Sequence, residues 1–127
     1  MSESHDGGNR AHPRYRASLP VDVTRYRASL PVNINGLPLH TNNISLSGLQ
    51  ISCPSLMLAM LGDGLEGNTL QVDLTLAGQG KIMTECEVVY VSDYGEEYLI
   101  GLHFNSFDGS GQSVYKEYID SLSQKLP

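Results

Sequence analysis

The sequence has no long apolar run. Its longest, "LMLAML" at 56–61, is far short of the roughly 20 residues that a membrane-spanning helix needs, so no membrane insertion is expected. The opening "MSESHDGGNR" is polar and lacks the apolar centre of a secretory signal. A cytoplasmic location is therefore expected. Cysteine is scarce: Cys53 and Cys86 stand far apart, match no ligand spacing and lie in apolar surroundings, which favours buried free thiols over a disulfide. The four histidines, His5, His12, His40 and His103, are too scattered to define a metal site. No nucleophile elbow, phosphate loop or HExxH is present. No catalytic residue, metal or cofactor is expected, and the chain reads as a binding protein rather than an enzyme. Basic residues are also few, 8 against 14 acidic ones for a net charge of −6. An acidic body is a poor partner for duplex nucleic acid, whose binding depends on many neutralised phosphates.

What is present is unevenly placed. All five arginines, Arg10, Arg14, Arg16, Arg25 and Arg27, lie within residues 1–27, and only lysines follow. That segment carries +2 and the remainder −8. An arginine-rich arm on an acidic body suits a small anionic ligand, because the guanidinium fork grips phosphate in two places and stacks on flat rings. The plainer alternative is a solvated arm that keeps the terminus in water. At 127 residues the chain is one domain, long enough to bury a core without metals or disulfides.

Residues 1–9 are polar and glycine-bearing and read as a disordered tail. The octapeptide "RYRASLPV" then occurs twice, at 14–21 and 25–32. The identity of the copies points to a recent tandem duplication or to a cloning artefact. Each copy reads as a strand, with Pro20 or Pro31 pushing it toward a sheet edge. Their spacing of eleven residues is odd, so the two cannot exchange within one continuous strand without inverting its faces. One copy is expected to hold the strand position and the other to form a loop, bulge or extra strand. Asn35-Gly36 between alternating apolar stretches is a hairpin signal and favours the second copy as partner of the next strand. "LPLHTNNIS" and "LQISCP" come next as strands, and "SLMLAMLGDGLEGN" as a short helical turn or a loop. "TLQVDLTL" places Leu70, Val72, Leu74 and Leu76 on one face. "KIMTECEVVYV" places Ile82, Thr84, Cys86, Val88 and Tyr90 together. "YLIGLHF" is a short last strand. From about 110 to 124 the period becomes helical, with Val114, Tyr118, Ile119 and Leu122 on one stripe. The pattern predicts a mainly β fold, a six-stranded antiparallel β-barrel with a C-terminal α-helix.

Within "NISLSG", strand alternation puts Asn43 and Ser45 on one face and Ile44 and Leu46 on the other. If the apolar set fills the core, Asn43 and Ser45 form a polar platform outside. Gly48 permits a left-handed turn or a close approach of backbone to ligand. Without other information this is also how a polar strand face ending in a turn glycine looks. Earlier, "RAHPR" spaces Arg10 and Arg14 four apart. The pair of motifs R-x-x-x-R and N-x-S-x-x-G, in this order on a six-stranded pattern ending in a helix, resembles the PilZ domain family. "HPRYR" before an apolar strand and "IGLHF" before the helix add to the resemblance, which covers residues 10–124.

The resemblance implies a six-stranded barrel that binds cyclic di-GMP. It makes 10–127 a single domain, with an arginine arm at 10–16. Arg10 and Arg14 would wrap the dinucleotide, with guanidiniums on phosphates and guanine faces. Asn43 and Ser45 would hydrogen-bond a guanine edge or a phosphate, and Gly48 would keep the turn compact. Where Asn43 stands, the family also uses aspartate; the amide can still accept through its carbonyl oxygen. Arg16, Arg25 and Arg27 read as solvated charges, with a helper's role as the alternative. The implied function is a receptor whose arm orders on ligand binding and which signals to an effector protein that the sequence does not name. A protein-interaction adaptor that binds no nucleotide is the alternative.

Overall fold

The computed structural model describes residues 24–124 and, for their backbone, residues 14–16. The tail at 1–9 and Arg10 lie outside the described residues. Among the described residues there are eight strands: β1 (Arg14–Arg16), β2 (Tyr26–Arg27), β3 (Pro31–Ile34), β4 (Leu37–Ile44), β5 (Gly48–Pro54), β6 (Thr69–Leu76), β7 (Gly80–Asp93) and β8 (Glu97–Asp108). A short helix α1 (Ser55–Leu58) runs into a 3-10 turn, and α2 (Gly111–Gln124) closes the described chain.

Six strands form a closed antiparallel ring in the order β8-β5-β4-β3-β6-β7, with β7 returning to β8. The expected barrel and helix are therefore present. Closure leaves the ring without an open sheet edge. β1 pairs with β8, and β2 with β4.

The Asn35-Gly36 hairpin works as the sequence indicates. Ile34 faces Leu37 across a two-residue turn, and both turn residues have positive φ, 55° and 84°, as a type I′ turn requires. The Asn33 side chain accepts a hydrogen bond from the Gly36 amide at 3.0 Å. The second copy thus holds the strand position. Its strand is no edge, however: β3 lies between β4 and β6. Pro31 is tolerated because it is the first residue of β3 and pairs only with His40; the ladder to β6 begins at Val32.

The core is what alternation requires. Val72, Leu74 and Leu76 are shut off from solvent, as are Ile34, Ile44, Ile51 and Ile100. Among the described residues three polar side chains are buried, Thr41, Thr84 and Ser106, and Thr41 is 3% exposed. Its hydroxyl donates to the Ala28 carbonyl and accepts from the Leu30 amide, and so spans the break between β2 and β3. Opposite that break β4 carries a bulge at Thr41/Asn43. The bulge shifts the inward set from Leu37, Leu39 and Thr41 to Ile44. Both cysteines are buried free thiols. Burial pushes the Cys86 thiol up to about 12, so it is protonated at neutral pH.

The helix α2 buries Tyr115, Tyr118 and Ile119, with Val114 and Leu122 packed against the core. Tyr115 anchors it. The ring stands edge-on to Phe104 of β8 at 4.8 Å between centroids and lies 6.1 Å from Phe107. Among the described residues no helix is long and apolar enough to cross a membrane, and no histidine, cysteine and carboxylate cluster of metal-ligating size is present.

Candidate functional site

The stretch that joins β4 to β5 builds the site. Asn43 is the next-to-last residue of β4, and Ser45 lies just past its end, in the turn rather than in the strand. The Ser45 amide donates to the Gly48 carbonyl at 2.9 Å, which tightens the turn. The Ser45 carbonyl accepts from the Tyr115 hydroxyl, so the turn is tied to α2. Burial raises the Tyr115 pKa well above the usual phenol range, and the hydroxyl stays a donor. The Ser45 hydroxyl makes only long contacts, 3.4 Å to both Ser47 Oγ and the Gly48 carbonyl, at the limit of useful hydrogen bonding. It can turn to a ligand at little cost.

Gly48 is required by the fold itself. It does not have a left-handed backbone. A Cβ built there would stand 1.9 Å from the Leu102 carbonyl oxygen. The close approach seen there is between β5 and β8. The glycine lets β5 begin against β8 with the turn folded back on it.

Asn43 and Ser45 do face outward and share one open cavity of about 210 Å³ with Gly48, Arg25, Tyr90 and His103. The Asn43 Nδ2 donates to Gln50 Oε1 at 3.0 Å, and Asn42 Nδ2 donates to the same oxygen at 2.6 Å. Gln50 in turn donates to the Tyr90 hydroxyl at 2.7 Å. This chain of hydrogen bonds fixes the Asn43 amide, directing its nitrogen to Gln50 and turning its carbonyl oxygen away as an acceptor.

Tyr90 stands on the face opposite to the expected one. The register of β7 shifts between Val88 and Tyr90, which moves the inward set from Val88 to Val91 and sends Tyr90 outside. There its ring lies over Gly101, where an added Cβ would fall 2.1 Å from a ring carbon. Gln50 and Tyr90 were not legible as site residues. The available signal was Gly101 in "IGLHF", since glycine inside a strand marks close approach of another group.

The two candidate arginines fare differently from the platform. Arg10 is outside the described residues. Arg14 begins β1, and its backbone pairs opposite Asp108. Gly48 pairs opposite His103, five residues earlier on β8, or roughly 17 Å at strand rise. The described backbone thus brings Asn43, Ser45 and Gly48 together and places Arg14 farther along β8, apart from them. In the wall of the cavity stands Arg25 instead.

A profile of the PilZ domain matches residues 8–121. The chain belongs to the PilZ domain family. Solved structures agree at the level of the fold. The Bacillus subtilis inhibitor of motility, MotI/DgrA, superposes with a TM-score of 0.62 at 22% identity, over 81% of this chain and 51% of that one. MrkH, described as a c-di-GMP-dependent transcription regulatory factor, gives 0.61 at 19% identity, over 93% and 52%. This PilZ domain spans about half the length of each. No curated protein sequence matches the chain.

Proposed function

We propose that this PilZ domain is a receptor for cyclic di-GMP, acting by binding rather than by catalysis. The observation that carries the reading is that Asn43, Ser45 and Gly48 converge on one open cavity on the outside of a PilZ barrel. The cavity offers what a guanine nucleotide needs: an oriented amide oxygen to accept from a guanine edge, a loosely held hydroxyl, and an aromatic ring in Tyr90. Stacking a base on such a ring contributes roughly 1–3 kcal/mol.

Size argues for the arm. At about 210 Å³ the cavity is smaller than the ~300–1,000 Å³ of sites that enclose drug-sized ligands. It seats one part of a cyclic dinucleotide and leaves the rest on the surface. Arg10 and Arg14, on the segment before the barrel, then close over the ligand, with guanidiniums on phosphates and purine faces. Ordering of that segment by an anion changes the surface that an effector protein meets, and the domain acts in the cytoplasm. The placement of Arg14 opposite Asp108 favours the second reading, a PilZ adaptor that works through protein contacts alone.

Calorimetric titration with cyclic di-GMP separates the two, run beside Arg14→Ala and with GMP as control. The receptor reading expects saturable heat that weakens at least about tenfold in the variant, as loss of a charge-assisted contact does. Absence of heat from folded protein would sink it and leave the adaptor.

A further inference from the structure

We propose that Arg25, supplied by the second copy of the octapeptide, is a resident ligand-binding arginine of the cavity that holds Asn43 and Ser45. The assignment rests on the receptor reading above and adds a residue to it.

Three observations support it. Arg25 lines the same cavity as Asn43, Ser45 and Gly48. It gets there by register: Arg27 pairs opposite Asn43 and Tyr26 opposite Ile44, so the next residue back along the chain runs toward Ser45. Faces accord with alternation. Tyr26 packs against the core beside buried Ile44, which turns Arg25 and Arg27 outward; Arg25 reaches the cavity and Arg27 is not part of its wall. Third, among the described residues the wall holds no acidic group to compete with a bound anion. A guanidinium with an amide oxygen and a hydroxyl beside it, and no competing anion in the wall, is a site for a phosphate or for the flat face of a purine.

The duplication explains why this residue and not its twin is there. Arg14 and Arg25 occupy the same place in the two copies, each just ahead of "YRASLPV". Only the second copy continues into Asn35-Gly36, whose turn fixes its register on β4. That register delivers Arg25 to the cavity. Arg25 is already in place on the barrel beside Asn43 and Ser45, whereas the backbone of Arg14 pairs opposite Asp108.

The test is calorimetric titration of the full chain with cyclic di-GMP, wild type beside Arg25→Ala, Arg25→Lys, Arg27→Ala and Arg14→Ala, with circular dichroism on each. Arg25 is exposed, so its variants keep the fold. Expected is a loss of about 10- to 100-fold in Arg25→Ala, the range for a charge-assisted hydrogen bond. Arg25→Lys recovers part of it, because the charge returns without the fork. Arg27→Ala stays within about twofold of wild type. Arg25→Ala binding as wild type does, with Arg14→Ala losing affinity, overturns this assignment and leaves the receptor reading standing. Absence of binding by folded wild type overturns both.

Discussion

The tripeptide Arg-Tyr-Arg occurs twice, and the two occurrences make different structures from the same residues. At 14–16 all three residues form β1 on β8, against Ser106 to Asp108. At 25–27 the last two form β2 on β4, against Asn43 and Ile44. Local preference is the same in both, so it cannot choose the partner. The residues beyond each copy make that choice. The second copy runs through Asn33 and Ile34 into a two-residue turn with both φ values positive. The first runs into Asp22, Val23 and Thr24, with no Asn-Gly pair before the second copy begins. A short stretch of strand is a generic object; its neighbours in the fold are set by turn chemistry and by the interior contacts that a register makes possible.

If so, loosening the ties of the second copy destabilises the domain in proportion to each tie. Thr41→Val carries the largest expected effect. Thr41 is nearly isosteric with valine but satisfies a carbonyl at Ala28 and a buried amide at Leu30. Leaving both unpaired costs about 2–3 kcal/mol. Urea denaturation should show a lower midpoint at unchanged slope. A loss under about 0.5 kcal/mol, below the worth of even one such hydrogen bond, would mean that the hairpin alone holds the copy in place.

Gly36→Ala comes next. Gly36 sits at φ 84° with open space where a Cβ would go, so the cost is backbone strain alone, about 1–2 kcal/mol for a left-handed residue with a side chain. The same urea titration measures it. Hydrogen exchange at Val32 and Ile34 should quicken by about tenfold with it, tracking the loss of stability. Unchanged exchange there would show that the turn does not set the register.

The barrel was legible because its signals are local and repeated. Leu70, Val72, Leu74 and Leu76 alternate without interruption and are all buried. Asn35-Gly36 makes the turn its chemistry demands, and the helical stripe from Val114 to Leu122 packs as its period indicates. The errors fall where one residue is inserted or one backbone approaches another. The bulge at Thr41/Asn43 hides behind Asn42, which is polar like its neighbour. The shift between Val88 and Tyr90 lies in an unbroken apolar run, so simple alternation carries Tyr90 to the wrong face. Gly48 stands out in the sequence as a glycine for a left-handed turn or for a ligand; the fold adds a constraint, the Leu102 carbonyl across the ladder, which no short-range pattern reports. The platform of Asn43 and Ser45 was legible from spacing and resemblance together. The place of Arg14 was not, because the residues that decide between identical copies lie outside them.

The smallest effect tests the comparison most directly. Ile34 is fully buried, and its counterpart eleven residues earlier is Val23. Ile34→Val makes the second copy match the first there, and costs about 1 kcal/mol for one buried methylene. If the second copy alone fills the core, Val23→Ile by itself leaves stability within about 0.5 kcal/mol, the usual range for a substitution outside the core. The decisive protein carries both. Composition is then unchanged and only the assignment of the larger side chain to a copy differs. If the second copy alone fills the core, the double variant is as unstable as Ile34→Val. If the first copy can take the strand when it is the better fit, the double variant regains wild-type stability. Recovery would mean that either copy can occupy the strand, and that the choice between them is an equilibrium set by single methylenes.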